Sequence, residues 1–324
     1  MDNKITKKRL SNFLAYEWIL TLIFVALGIF LLGLVYQVTS VQLTTGQTFK
    51  VFYDYGVYSN ESFFNIADKD VLSFDIYASE ERIQEANDVL KARLSIEEGD
   101  IIFTSSVSER EGERSQAVRY IENSMEYHVT DFDTLLENGI NYLNRFVKDS
   151  EKENLNAWKD YNNLDENKIY ANFISRMKKD NRFRTDEQKR DGFEKEKLRI
   201  KKLCVVLNDF DYLLNEYDKN RDKLFFTHEY NGQVKTYGID FSKLQKKSDK
   251  MAVNYAGRTA LNVDENGTPI LDEYGKETYV RTTDGVVVMA FGFYDEQPDL
   301  QYETVSYLTD LVKKLGDITL PSQA

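Results

Sequence analysis

An uncharged apolar run near the N-terminus constrains this chain more than any other feature. Trp18–Tyr36 reads WILTLIFVALGIFLLGLVY and contains no charged side chain. As an α-helix that rises about 1.5 Å per residue, the run spans roughly 28 Å, which is close to the hydrocarbon thickness of a bilayer. Trp18 and Tyr36 stand at its two ends, where amphipathic aromatic rings prefer the headgroup region. The run therefore predicts one transmembrane helix.

The charges on either side of this run predict its orientation. Four basic and two acidic residues lie in the tail 1–17, and the first charge after the run is Lys50. By the positive-inside rule, the tail is cytoplasmic and everything after the helix is outside. We therefore expect a single-pass protein of the cell membrane with its bulk extracellular.

A cleaved signal peptide is the alternative interpretation of the apolar run. Such a peptide has a core of about 7–15 apolar residues, followed by small residues at the cleavage site. The run here is longer, and Val35-Tyr36-Gln37-Val38 does not have that pattern. A lipoprotein anchor is excluded because no cysteine directly follows the run. We favour an uncleaved anchor.

The composition after the tail describes an acidic folded body. The net charge of the whole chain is −12. The tail carries four positive and two negative charges, a balance of +2, so the rest of the chain carries −14. This charge argues against binding to nucleic acid, because phosphates would be repelled. The chain contains 21 Tyr and 20 Phe, which is ample material for a core. Its single cysteine, Cys204, lies in an apolar run and is predicted to be buried and inert.

Hydrophobic patterning predicts an α/β fold whose middle is helical. After a polar stalk at 37–48, strands are expected at 49–55, 71–77 and 100–104, with a helix at 79–96 between the last two. Strand, helix and strand in this spacing are typical of a parallel crossover unit. Residues 49–130 and 225–324 are then expected to form an α/β lobe, and 131–224 a mainly helical lobe.

The C-terminal part returns to strands and ends in a helix. Asn231-Gly232 between two strand-like segments predicts a hairpin with a type I′ turn. A second hairpin is expected at 258–281, with turns at Asn266-Gly267 and Tyr274-Gly275. Residues 286–293 (VVVMAFGF) are almost entirely apolar, as in a strand buried on both faces. A closing helix is predicted at 301–315.

Motifs for catalysis and for metal or cofactor binding are lacking in the sequence. His128 and His228 are the two histidines, and neither has a second metal ligand at helical spacing. No G-x-S-x-G elbow and no glycine-rich phosphate loop occur. Asp264–Gly267 resembles the first half of a calcium loop, but it lacks the required later Glu and predicts a turn. We therefore predict no catalytic residue, no metal site, no cofactor and no enzyme activity.

A ligand site is predicted at the carboxyl ends of two strands. In open α/β sheets, ligands bind outside these ends, at the point where the strand order switches. Tyr55 and Tyr58 follow the first predicted strand, and Ser105 and Ser106 follow the third. Tyrosine rings and serine hydroxyls suit a small polar ligand, so these four residues are the candidate ligand-binding residues. The alternative is that they are ordinary loop residues.

Three segments together resemble a known family. They are FKVFYDYG at residue 49, the strand–helix–strand unit that ends in GDIIFTSS, and the closing VVVMAFGFYDEQPDLQYETVSYLTDLVKKL. This pattern is similar to the extracellular solute-binding proteins of ABC importers, which have the type II periplasmic-binding-protein fold. The segment KKRLSNFLAYEWI before the apolar run is similar to uncharacterised membrane-anchored relatives in Gram-positive bacteria.

The resemblance implies a two-lobe domain that closes on a ligand between its lobes. The first functional hypothesis is an anchored extracellular protein that captures a small polar ligand for a permease or a sensor. The alternative is a non-catalytic scaffold or protein-interaction module of the cell envelope, which keeps the fold without ligand transport. The expected partners are the membrane, a small polar ligand, and a permease or envelope protein.

Overall fold

A computed structural model describes most of the chain. The described residues are 7–13, 18–39, 48–54, 56–59, 73–78, 83–108, 112–177, 183–217, 224–244, 255–265, 267–293, 301–316 and 318–323. They fall into two compact units, Met1–Thr44 and Thr45–Ala324.

The described residues of the first unit form two helices, α1 (Lys7–Asn12) and α2 (Trp18–Thr39). Within α2, the 19 residues Trp18–Tyr36 are long and apolar enough to cross a membrane, and their side chains are not buried within the protein. This confirms the predicted apolar helix near the N-terminus. By length and composition it fits a membrane anchor or a signal sequence.

The second unit is a mixed α/β fold, as predicted. Its strands are β1 (Thr48–Tyr53), β2 (Val57–Ser59), β3 (Ser73–Ala78), β4 (Ile101–Ser105), β5 (Val129–Thr130), β6 (Phe225–Tyr230), β7 (Gln233–Asp240), β8 (Ala256–Leu261), β9 (Tyr279–Thr282) and β10 (Val286–Phe291). Its helices are α3 (Ile83–Leu94), α4 (Gln116–Glu122), α5 (Ser124–Tyr127), α6 (Phe132–Asn144), α7 (Glu166–Met177), α8 (Asp186–Tyr212) and α9 (Gln301–Leu315).

In the described residues, the main sheet has seven strands and combines parallel and antiparallel pairs. Six of them follow the order β3-β1-β4-β10-β7-β6, and β5 pairs with β10. Both β3 and β4 run parallel to β1, which lies between them. Strands β10, β7 and β6 continue the sheet with antiparallel pairs. The tight turn between β6 and β7 has positive φ at Asn231 and Gly232, as the Asn-Gly pair predicts.

Helices cover both faces of this sheet. All six residues of β10 are buried, which confirms the prediction for this apolar segment. Val286 and Val288 belong to a core shared with α6, α8 and α9, whereas Val287 and Met289 face α3 and α4. Burying a side chain of this size contributes about 1.5–3 kcal/mol. The sheet is therefore the middle layer of three.

The helical middle of the chain packs on the sheet. Leu207 of α8 and Val51 of β1 belong to the same core, and Phe49 of β1 stacks on Tyr307 of α9 with ring centroids 4.9 Å apart. Residues 45–324 form one compact unit, and the described residues do not show the two-lobe arrangement that the resemblance implies. The predicted domain boundaries within this unit stay predictions.

A buried ion network joins three of these helices. Glu196 of α8 accepts hydrogen bonds from Arg176 of α7 at 2.5 Å and from Arg199 at 3.0 Å. Arg199 also donates to the Tyr142 hydroxyl of α6 at 3.2 Å. Burial alone would raise the pKa of Glu196, but the two guanidinium groups outweigh it and lower this pKa. Charge-assisted hydrogen bonds therefore link α6 and α7 to α8.

Candidate functional site

The candidate site is the sheet edge at the carboxyl ends of β1 and β4. The chain leaves β1 toward β3 on one side and later reaches β4 on the other side. The strand order therefore switches between β1 and β4, where α/β sheets commonly place ligands. Tyr53 of β1 pairs with Phe103 of β4, so both strands end at nearly the same level.

A buried carboxylate, Asp54, lies at this edge directly after β1. The Thr104 hydroxyl donates a hydrogen bond to Oδ2 of Asp54 at 2.7 Å, and the Asp54 amide donates to the Phe103 carbonyl at 2.9 Å. The Tyr120 hydroxyl from α4 also hydrogen-bonds Asp54. Burial, followed by the neighbouring Asp54 charge, raises the pKa of Tyr120 well above its usual range. The hydroxyl groups of Thr104 and Tyr120 thus stabilise a carboxylate removed from water.

Aromatic and charged groups continue from this cluster toward the surface. The rings of Tyr120 and Tyr127 meet edge to face with centroids 4.7 Å apart. The Lys91 ammonium of α3 lies 5.2 Å from the Tyr127 ring centroid and 2.6 Å from a Glu126 carboxylate oxygen. Burial raises the pKa of Tyr127, and Lys91 opposes that rise. The ligand-binding residues predicted from the sequence do not include this cluster. Its one signal in the sequence is the acidic Asp54 within the aromatic strand predicted at 49–55.

Of the two tyrosines predicted to bind a ligand, Tyr58 alone belongs to the described residues. Tyr55 lies outside the described residues. Tyr58 belongs to β2 in a second, three-stranded sheet of order β2-β8-β9. The Arg281 guanidinium of β9 lies 4.7 Å from the Tyr58 ring centroid. Burial raises the pKa of Tyr58, and Arg281 opposes that rise. A Cβ on Gly257 would lie 2.4 Å from the Tyr58 hydroxyl, so glycine is needed there for the ring to fit.

The predicted serines bind the backbone at the end of β4. The Ser105 hydroxyl donates to the Val107 carbonyl at 2.9 Å and accepts from the Val107 amide at 3.2 Å. The Ser106 hydroxyl and amide both donate to the Gly285 carbonyl, at 3.1 Å and 2.7 Å. Arg258 of β8 donates to the neighbouring Asp284 carbonyl at 2.5 Å. Ser106 and the small sheet thus meet at the turn before β10, while each hydroxyl keeps acceptor capacity.

The histidines and the cysteine occupy structural positions. His128 ends α5 in the left-handed region at φ 51° and lies against Phe293, with ring centroids 5.0 Å apart. His228 Nε2 lies 3.6 Å from a Glu122 carboxylate oxygen. In the described part of the chain, no group of three or more His, Cys, Asp or Glu side chains is arranged to hold a metal ion. Burial raises the pKa of the Cys204 thiol to about 12, which makes it unreactive.

A second surface feature is the hairpin of residues 256–282, which we call the arm. It contains β8, β9 and a tip in which isolated bridges pair Val263 with Pro269 and Leu271 with Glu277. Its turns have positive φ at Gly267 and Gly275, as predicted. Large apolar side chains are exposed along it: Leu261, Val263, Ile270, Leu271, Tyr274, Tyr279 and Val280. Several exposed apolar side chains on one element are commonly found at interaction sites.

Comparisons of the chain with protein-family models, with curated proteins and with solved structures gave no match. The site and the arm are therefore interpreted from their own geometry. They belong to the mixed α/β unit of residues 45–324, and among the described residues one apolar helix, Trp18–Tyr36, is long enough to span a membrane.

Proposed function

We propose that this chain is a membrane-anchored extracellular binding protein that captures a small polar ligand at the carboxyl edge of β1 and β4. The observation that supports this most directly is the switch in strand order between these two strands. Hydroxyl groups are available at this edge on Ser105 and Ser106, and an aromatic ring on Tyr58. Release of the ligand to a permease or a sensor is the role that the resemblance to solute-binding proteins implies.

The proposed orientation rests on the basic tail before α2 and on the lack of charge between α2 and Lys50. It predicts that a protease added to intact cells digests residues 45–324 and leaves the tail protected. Digestion only after cell lysis would place the body in the cytoplasm and overturn this part of the proposal. Release of the body into the medium would show that the helix is a cleaved signal sequence.

Thermal melting tests the ligand hypothesis. Residues 45–324 form a compact unit with its own core and can be produced without the helix. A ligand that binds only the native state raises the melting midpoint by mass action. Sugars, amino acids and short peptides are the libraries of choice, and a concentration-dependent rise with one chemical class would support the proposal. No rise with any class at millimolar concentration would contradict it.

A matched pair of serine variants localises the site. Ser105→Ala removes a hydroxyl at the proposed edge and should weaken binding roughly 2–10-fold, the usual effect of losing one hydrogen bond. Ser95→Ala is the control, because Ser95 lies after α3 and donates to the Ala92 carbonyl on an exposed surface. Equal affinity in both variants would remove Ser105 from the site.

A second candidate function is an interaction module of the cell envelope, and the exposed apolar arm favours it. It predicts that Leu271→Ser with Tyr274→Ser impairs association of the chain with its partner without changing ligand-induced stabilisation. Conversely, Ser105→Ala should weaken ligand binding and leave the association unchanged. The two functions are therefore separable by experiment.

A further inference from the structure

The outer strand of the small sheet presents an open edge. In the described residues β9 pairs only with β8, in the register Leu261 to Tyr279 and Ala260 to Val280. Tyr279 is 60% exposed and Val280 is 41% exposed. Exposed edge strands with apolar side chains are templates for pairing with a further strand, and proteins usually protect them.

The backbone directions along this edge follow from Thr278. Its carbonyl accepts from the Asn262 amide at 2.9 Å, and its amide donates to the Ile270 carbonyl at 3.0 Å. Both polar groups of Thr278 therefore point into the arm. Because these directions alternate along an antiparallel strand, the amides and carbonyls of Glu277, Tyr279 and Arg281 point to the open side. They are positioned to pair with an added strand.

The side chains of this edge are complementary to a second copy of themselves. An antiparallel copy related by a twofold axis at Tyr279 pairs Tyr279 with its equivalent and Glu277 with Arg281. All three residues are exposed. Opposite charges directly across a strand pair are stabilising, whereas like charges are destabilising. Glu277 and Arg281 each lie two residues from Tyr279, so their backbone groups point to the same open side. In the symmetric pair, each Glu277 therefore lies opposite the Arg281 of the other copy.

We propose that two copies of this chain associate through antiparallel pairing of their β9 edges, centred on Tyr279. The two small sheets then form one continuous sheet, and the exposed Tyr279 side chains of the two copies lie side by side at the join. The interface is isologous, as in most homodimers. Confinement of both copies to one membrane would raise their effective concentration. This inference uses the arm alone and does not depend on the ligand site.

Charge reversal tests the register. Glu277→Arg and Arg281→Glu each place like charges opposite one another in a homodimer, and each should weaken association roughly 10-fold. A mixture of the two variants restores unlike charges at both positions, so the heterodimer should regain the original affinity. Arg281→Glu also removes the contact with Tyr58 inside one copy. Recovery in the mixture separates the intermolecular effect from this internal one.

The measurement is sedimentation equilibrium of the full chain in detergent micelles, with the two variants carrying different fluorophores. Weakened homodimers and a restored heterodimer support the proposal. A monomer at all concentrations, or charge variants that dimerise as well as the original chain, would overturn it.

Disulfide trapping provides an independent readout of the axis. Tyr279→Cys places two thiols across the twofold axis, within the usual Cα separation for a disulfide. Tyr274→Cys is the control, because Tyr274 is 79% exposed at the tip and away from the axis. The native Cys204 is buried and does not compete. Mild oxidation of the full chain in liposomes should give a covalent dimer with Tyr279→Cys at several times the yield with Tyr274→Cys. Equal yields would refute the proposed axis.

Discussion

Asp100, at the start of β4, should make the protein less stable as the pH rises from acid to neutral. Its carboxylate accepts a hydrogen bond from the Lys50 amide at 2.7 Å and one from the Thr304 side chain of α9. Burial raises its pKa from 3.8 to about 7, and the contacts with Lys50 and Thr304 only partly oppose this rise. The native state therefore holds this proton more tightly than the unfolded state does.

The sign and size of the effect follow from linkage. Between a pKa of about 3.8 when unfolded and about 7 when folded, unfolding releases the Asp100 proton, so stability falls as pH rises. From pH 5 to pH 8 these two values correspond to a loss of roughly 2–3 kcal/mol. Below the unfolded pKa the group costs nothing, because it is protonated in both states. Above pH 7 the penalty is constant.

Asp100→Asn isolates this contribution, because Asn is close to the shape of the protonated acid and does not titrate. The free energy of unfolding of residues 45–324 would be measured by urea denaturation at pH 5 and pH 8. All other titratable groups are the same in both proteins, so their effects cancel in the comparison. We expect the variant to lose roughly 2–3 kcal/mol less than the original chain over this range. The same pH dependence in both proteins would refute the reasoning.

Three further perturbations test the packing of the second unit. In Gly139→Ala the new Cβ would lie 2.7 Å from the buried Leu207 side chain, and overpacking should lower the free energy of unfolding by about 1 kcal/mol despite the better helix propensity; unchanged urea denaturation would contradict this. Thr185→Ala removes the capping box of α8 and should cost about 1 kcal/mol by the same assay, whereas a Ser replacement should not. Asp209→Ala removes a buried carboxylate that binds Ser322 at the C-terminus and lies 3.0 Å from the Lys313 ammonium, and should cost about 3–5 kcal/mol. Carboxypeptidase should then digest the C-terminus faster, and an unchanged digestion rate would show that Asp209 does not hold it.

Local sequence patterns correctly predicted those elements whose burial or backbone conformation depends mainly on their own residues. The closing helix α9 has the predicted bounds, and β10 is buried along its whole length because its apolar run allows no solvent face. Asn231-Gly232 predicted its turn because few other residue pairs adopt positive φ at two successive positions. The helix Trp18–Tyr36 was evident from length and lack of charge alone. These signals need no knowledge of the partners.

Only the tertiary structure decided which elements meet. It placed β10 between β4 and β7 and put the helical middle on the same sheet as β1. It also placed Tyr58 in the small sheet and Ser105 at the end of β4 in the main sheet, and it buried Asp54 against Thr104 and Tyr120. Strand order and long-range hydrogen bonds depend on the packing of segments that are distant in sequence. The periodicity of one segment shows which of its faces is buried, but not which other segments pack against it.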